Sequence, residues 1–129
     1  MDRQPPDLRI LVVEDHEDSA ASLALLLRIW GHEVRVARDG LTALEMARAF
    51  SPDVVLLDIR LPWMDGWQVA DQLQKEPAPK RPLLIALTGC GREADRRRSQ
   101  EAGIDLHLVK PVDPDQLRRL LAQPAGRSR

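Results

Sequence analysis

The sequence predicts an α/β fold: a single doubly wound domain whose five-stranded parallel sheet has the order 2-1-3-4-5 and is covered by five helices. Three observations predict it. Short apolar runs alternate with stretches whose apolar residues recur at helical spacing. Successive runs lie far enough apart for a helical crossover, which parallel strands require. The first, third and fourth runs are continuously apolar, as strands covered on both faces are, whereas the second and fifth alternate and belong at the edges. In this order the winding reverses between strands one and three, where open α/β sheets hold their ligands.

The elements follow in order. After a Pro-containing opening, residues 8–13 form the first strand, which ends in Glu14-Asp15-His16-Glu17-Asp18. Asp15, Asp18 and Ser19 are candidate caps for the helix that follows. Leu23, Leu26, Leu27 and Trp30 line one face of that helix, and Gly31 stops it. Glu33-Val34-Arg35-Val36 alternates and marks a strand with one protected face. Asp39-Gly40 opens a helix over residues 41–50, before Pro52. Residues 54–57 are too short a run for a helix and read as a strand buried on both faces, with Asp58 at its C-terminal end.

Asp65-Gly66 opens a third helix carrying Trp67, Val69, Ala70 and Leu73, and Pro77, Pro79 and Pro82 make the connector after it. Residues 83–87 are the fourth strand, followed by Thr88-Gly89-Cys90-Gly91. A helix over 92–102 has almost no apolar residues besides Ala94 and Ala102, which predicts loose docking. Gly103 ends it, residues 106–109 form the last strand, and Lys110-Pro111 turns into a final helix around Leu117, Leu120 and Leu121. Residues 1–7 read as a flexible leader, 8–122 as the domain and 123–129 as a frayed tail.

Composition narrows the function classes. The 129 residues, 43% hydrophobic, suit one core and leave no room for a second domain. Nineteen basic against twenty acidic residues give a net charge of −1, without the basic surface that nucleic-acid binding requires. No apolar run exceeds five residues, and the opening residues lack a hydrophobic signal region. Neither a membrane span nor secretion is therefore expected, and the predicted location is cytoplasmic. A single cysteine, Cys90, cannot form an internal disulfide, in keeping with a reducing compartment.

The crevice at the reversal is flanked by Glu14-Asp15 and Asp58. Converging carboxylates repel one another, so they either take up a proton or share a cation. A hard divalent ion with oxygen ligands is the economical solution, and Mg²⁺ suits a site that keeps positions for water and a phosphate oxygen.

The acid pair after strand one, Asp58 after strand three, Thr88 after strand four and Lys110-Pro111 after strand five together resemble the receiver domain of bacterial two-component response regulators, with its flavodoxin-like fold. The likeness covers residues 8–121. It implies that Asp58 is a phosphoacceptor, taking a phosphoryl group from a phosphohistidine on a sensor histidine kinase or phosphotransfer domain. It also implies Mg²⁺ held by Asp15, Asp58 and the backbone carbonyl of Arg60, with Glu14 acting through water. Glutamate at this last position, in place of a second aspartate, is a common variation in the family.

The Lys110 ammonium would bring positive charge and the Thr88 hydroxyl a hydrogen-bond donor to the transferred phosphoryl group, which suits a reaction that asks mainly for positioning and electrostatic stabilisation. The resemblance further implies a cis Lys110–Pro111 bond and a switch in which the Thr88 hydroxyl moves toward the phosphoryl group. The residue three before the lysine, His107, then follows inward. Such a domain is not an enzyme in the ordinary sense; it assists its own Mg²⁺-dependent phosphorylation and dephosphorylation. Its downstream protein target is unknown, and a phosphorylation-dependent homodimer is left open.

Two alternatives remain at this level: the receiver portion of a hybrid histidine kinase, and a receiver-like interaction module that is not phosphorylated. A flavin protein of similar fold is disfavoured because an acidic first loop repels phosphate. A haloacid-dehalogenase-type phosphatase is disfavoured because Arg60 stands where the second catalytic aspartate is needed.

Overall fold

Each apolar run closes into a strand in the computed structural model, which describes residues 8–61, 64–75, 81–89 and 93–122, the side chains of 93–96 aside. The chain runs β1 (Arg9–Val13), α1 (Glu17–Ile29), β2 (Glu33–Ala37), α2 (Gly40–Phe50), β3 (Val54–Asp58), α3 (Gly66–Lys75), β4 (Leu83–Thr88), α4 (Glu93–Glu101), β5 (Leu106–Val109) and α5 (Pro114–Leu121). All strand pairs are parallel and the order is β2-β1-β3-β4-β5, as the polarity of the runs predicts. The expectations for the leader, the tail, Pro77, Pro79 and Cys90 concern residues outside those described.

The central strands must be apolar on both faces because side chains alternate across a sheet and both faces are covered. Leu11, Val13, Val55, Leu57, Leu84 and Ala86 pack with α2 and α3 on one face. Ile10, Val12, Val54, Leu56, Ile85 and Leu87 pack with α1 and α5 on the other. Every residue of β3 is buried, including Asp58. The fold therefore sinks its central carboxylate at the rim of the core. No helix among the described residues is long and apolar enough to cross a membrane.

Helix ends are set by local chemistry. Asp39 caps α2 by accepting from the Thr42 amide at 2.8 Å, and those hydrogen bonds hold its carboxyl below the usual range. Asp113 caps α5, with Pro114 in the first turn. For α1 the cap is His16, whose Nδ1 accepts from the Ser19 amide at 3.4 Å, rather than Asp15, Asp18 or Ser19. The chain after Asp15 turns one residue later than the acidic run suggests, which leaves the Asp15 carboxylate out of the cap. Gly31 (φ 101°) and Gly103 (φ 88°) supply the left-handed turns after α1 and α4.

Helix α4, poor in apolar residues, is held by polar ones. Ser99 is fully buried and accepts a hydrogen bond from the Trp67 indole at 2.8 Å. The Arg98 guanidinium lies 4.1 Å from the centre of the Trp67 ring, a cation–π distance. Gln74 Nε2 donates to the Ala102 carbonyl at 2.5 Å at the end of the helix. Specific hydrogen bonds replace the apolar stripe that a count of hydrophobic residues looks for.

Candidate functional site

Strand register assembles the site. Val13 of β1 lies opposite Leu57 of β3, so Glu14 and Asp58 leave the sheet at the same level. Asp58 lies opposite Leu87, and Thr88 opposite Val109, which brings Thr88 and Lys110 to the same edge. The Lys110 amide donates to the Thr88 carbonyl at 2.7 Å and extends that alignment by one residue. Four polar residues far apart in the chain, Glu14, Asp58, Thr88 and Lys110, thus meet at the carboxyl ends of parallel strands, the place where open α/β sheets bind ligands.

Carboxylate oxygens of Glu14, Asp15 and Asp58 lie within 4.8 Å of one another. Lys110 Nζ bridges two of them, donating to Glu14 Oε1 at 3.2 Å and to Asp58 Oδ2 at 3.1 Å. The Arg60 amide donates to Asp58 Oδ1 at 2.9 Å, and the His16 amide to Glu14 Oε2 at 3.1 Å. Burial pushes the Glu14 carboxyl above the usual range, and the neighbouring Asp58 adds to this, against the His16 amide and Lys110. For Lys110, burial acts to lower its pKa, but Asp58 and then Glu14 outweigh it and hold the ammonium above its ordinary range.

One ammonium does not balance three carboxylates, and two formal negative charges remain. That deficit, in an oxygen-only donor set, fits a hard divalent cation such as Mg²⁺. Thr88 is 6% exposed, and its hydroxyl has no hydrogen-bond partner among the described residues. A buried hydroxyl without a partner is costly, so it marks a place where an acceptor is wanted. His107 is half-buried on β5, opposite Ala86 of β4. The Lys110–Pro111 bond is cis.

The residues expected around the crevice are therefore gathered there, with Arg60 contributing its amide to Asp58. Two contributors carry no signal in the sequence. Gly66 donates its amide to the Ile59 carbonyl at 2.8 Å, and a Cβ on it would meet the Asp58 carbonyl oxygen and the Ile59 Cα, each at 2.7 Å. Glycine is what lets α3 begin directly against the main chain of the central aspartate. Arg38, just past the edge strand β2, donates from Nε and Nη2 to the Asp15 carbonyl at 3.1 and 2.8 Å. A basic residue following an edge strand is too common to be read as a contributor.

Comparison with known proteins bears on this geometry. The family model of the response regulator receiver domain matches residues 10–122. The response regulator PleD of Caulobacter vibrioides is 38% identical over 105 residues, 81% of this chain but 23% of PleD, so the chain spans about a quarter of that relative. Protein PilH of Pseudomonas aeruginosa is 35% identical over 109 residues, 84% of this chain and 90% of PilH.

Among solved structures, a putative response regulator from Chloroflexus aurantiacus has a TM-score of 0.86 at 30% identity, covering 95% of this chain and 100% of that one. The receiver domain of a Pseudomonas aeruginosa sensor histidine kinase has a TM-score of 0.84 at 30% identity, covering 94% of this chain and 99% of that one. It carries a magnesium ion coordinated in its active site cleft.

Proposed function

The chain belongs to the family of response regulator receiver domains, and from that premise we propose that Asp58 is its phosphoacceptor. It takes a phosphoryl group from a phosphohistidine on a sensor histidine kinase or phosphotransfer domain, in the cytoplasm, and passes the signal on by protein contact. The single observation that carries this reading is the environment of Asp58: a buried carboxylate at the end of the central strand, held by Lys110 and the Arg60 amide beside two further carboxylates. Residues 8–122 would be the working unit.

A lone pair on an Asp58 carboxylate oxygen attacks phosphorus, the P–N bond to the donor imidazole breaks, and its electron pair stays on that nitrogen. The Arg60 amide and Lys110 hold Asp58 in one orientation before the attack. Asp15, Asp58 and the Arg60 carbonyl would hold Mg²⁺, with Glu14 acting through water, and the ion would supply positive charge to the transferred oxygens. After transfer Asp58 no longer carries a carboxylate charge, so the Lys110 ammonium, still on Glu14, is released to a phosphoryl oxygen. The Thr88 hydroxyl gains the acceptor it lacks, and His107 follows it inward.

Mg²⁺-dependent labelling with acetyl phosphate tests the reading. The intact mass should rise by one phosphoryl group with Mg²⁺ and stay unchanged when the ion is chelated. Lys110→Ala should bind Mg²⁺ at least as tightly, because a competing cation is gone, yet label about 100-fold more slowly, the cost of losing one charged donor from a transition state. Full-rate labelling of Lys110→Ala would remove the lysine from the mechanism.

The switch has its own readout. Amide shifts of β5 should change around His107 when beryllofluoride, a phosphoryl mimic, is added with Mg²⁺; resonances that stay in place there would leave His107 outside the switch.

A second context for the same chemistry has support from the relatives. The match covers 90% of PilH, whereas one solved structural relative is a receiver domain of a sensor histidine kinase. A receiver acting within a hybrid kinase would use the same five residues, and phosphoryl transfer from a kinase core in the same polypeptide would identify it. A phosphorylation-dependent homodimer would appear as a doubling of mass by light scattering on adding beryllofluoride.

A further inference from the structure

The loop that carries Asp15 is held at three points. The Glu14 amide donates to the Ala37 carbonyl at 3.0 Å, the His16 amide donates to Glu14 Oε2 at 3.1 Å, and Arg38 takes the Asp15 carbonyl with two donors at 3.1 and 2.8 Å. The third is the unusual one. A guanidinium fork normally meets a carboxylate or a phosphate, whose two oxygens match its geometry. Here both nitrogens converge on one neutral carbonyl, and that carbonyl belongs to the residue whose carboxylate stands with Glu14 and Asp58. Asp15 is exposed, so packing does little to fix it. Without Arg38 the peptide between Asp15 and His16 loses its anchor toward β2.

We propose that Arg38 is a positioning residue for Asp15: by clamping the Asp15 main chain it sets the carboxylate in the geometry that captures Mg²⁺. This rests on the reading of the cluster as a Mg²⁺ site. Arg38 touches neither the metal nor the phosphoryl group, and acts only through the backbone of the ligand. Two effects of the side chain compete. Its hydrogen bonds hold the ligand in place, which favours metal binding; its positive charge near the cluster opposes it. Arg38 is exposed, so its charge acts largely through water, whose high dielectric constant weakens the repulsion of a cation. Its direct hydrogen bonds to the Asp15 carbonyl act at contact and fix the loop. The clamp therefore dominates, and removing it weakens Mg²⁺ binding.

Mg²⁺ titrations followed by amide NMR on the whole chain decide the matter. Arg38→Ala should bind Mg²⁺ roughly tenfold more weakly, the lower end of losses seen when a metal ligand's supporting partner is removed. Arg38→Lys, which keeps the charge but offers no planar fork, should fall between Arg38→Ala and the parent. Arg35→Ala, which removes the β2 arginine that lies 4.8 Å from the centre of the Phe50 ring, should match the parent.

Two readouts separate positioning from a general structural defect. In metal-free Arg38→Ala the amides of Asp15 and His16 should shift or broaden, and at saturating Mg²⁺ acetyl phosphate labelling should recover the parental rate. Binding within twofold of the parent in Arg38→Ala, or tighter than the parent, overturns the proposal, as do unchanged Asp15 and His16 amides. If Arg38→Ala does not fold, Arg38→Lys carries the test, and parental affinity in it overturns the clamp. A parent chain that shows no response to Mg²⁺ overturns the underlying reading of the cluster, whatever Arg38 does.

Discussion

Asp58→Asn is expected to lose all labelling by acetyl phosphate while folding at least as stably as the parent in metal-free buffer. The two outcomes have one cause. Asparagine keeps one oxygen, which can accept from the Arg60 amide as Asp58 Oδ1 does now, while its NH2 replaces the Oδ2 that accepts from Lys110 and leaves that ammonium to Glu14. It lacks the anionic oxygen that attacks phosphorus. It also removes one of two buried carboxylates that share a single ammonium.

Asp58 is among the groups that push the Glu14 carboxyl upward, after burial itself. A carboxyl whose folded pKa lies above its unfolded value favours the folded state at low pH and loses that contribution as pH rises through the folded value. At neutral pH the parent therefore carries the strain of like charges, and the variant is relieved of part of it. Intact-mass measurement and thermal unfolding check the pair of outcomes. A full phosphoryl increment on Asp58→Asn would place the acceptor elsewhere, and a large drop in melting temperature would mean that Asp58 stabilises the fold.

Gly66→Ala is expected to be the most damaging single-methyl change near the site. The added Cβ would sit 2.7 Å from both the Asp58 carbonyl oxygen and the Ile59 Cα, and 3.0 Å from Ile59 Cδ1. Two of these neighbours are main chain and cannot swing away as a flexible side-chain end would. Either α3 withdraws at its first residue or the segment after β3 moves, and the 2.8 Å bond from the Gly66 amide to the Ile59 carbonyl is disturbed in both cases.

Overpacking of this kind costs about 3 kcal/mol, which lowers the melting temperature of a domain this size by roughly 10 °C. Asp58 is displaced with its neighbours, so labelling slows as well. Gly89→Ala, where a Cβ meets nothing within 4 Å among the described residues, is the control and should stay close to the parent. Equal melting temperatures for the two variants would show that the close approach at Gly66 does not limit the fold.

The legible parts of this protein are those governed by burial. Strand order follows from which runs are continuously apolar, because a strand covered on both faces cannot carry a polar side chain in its interior. Asp58, Thr88 and Lys110 can be read for the same reason: each interrupts or follows an apolar strand where the sheet reaches solvent. What escapes a linear reading is side chains that bond across elements. His16 caps α1 through an imidazole nitrogen although better capping residues stand on both sides of it. Trp67 and Ser99 tie α3 to α4 with one hydrogen bond that has no period along the chain. Arg38 serves a carbonyl 23 residues earlier, and neither its type nor its spacing announces this.

The Thr88 hydroxyl, buried and without a partner among the described residues, has a meaning in terms of conformational populations. A buried donor left unsatisfied raises the free energy of the state that contains it by about 1–3 kcal/mol. Any conformer that brings this hydroxyl to an acceptor recovers that amount, and a shift of this size alters the ratio of two states by roughly 5- to 150-fold. In the switch proposed above, the resting state is thereby raised toward its alternative by that amount, so that less is asked of the event at the strand ends that changes which one prevails. A hydrogen bond left unmade thus sets how little work a signal has to do.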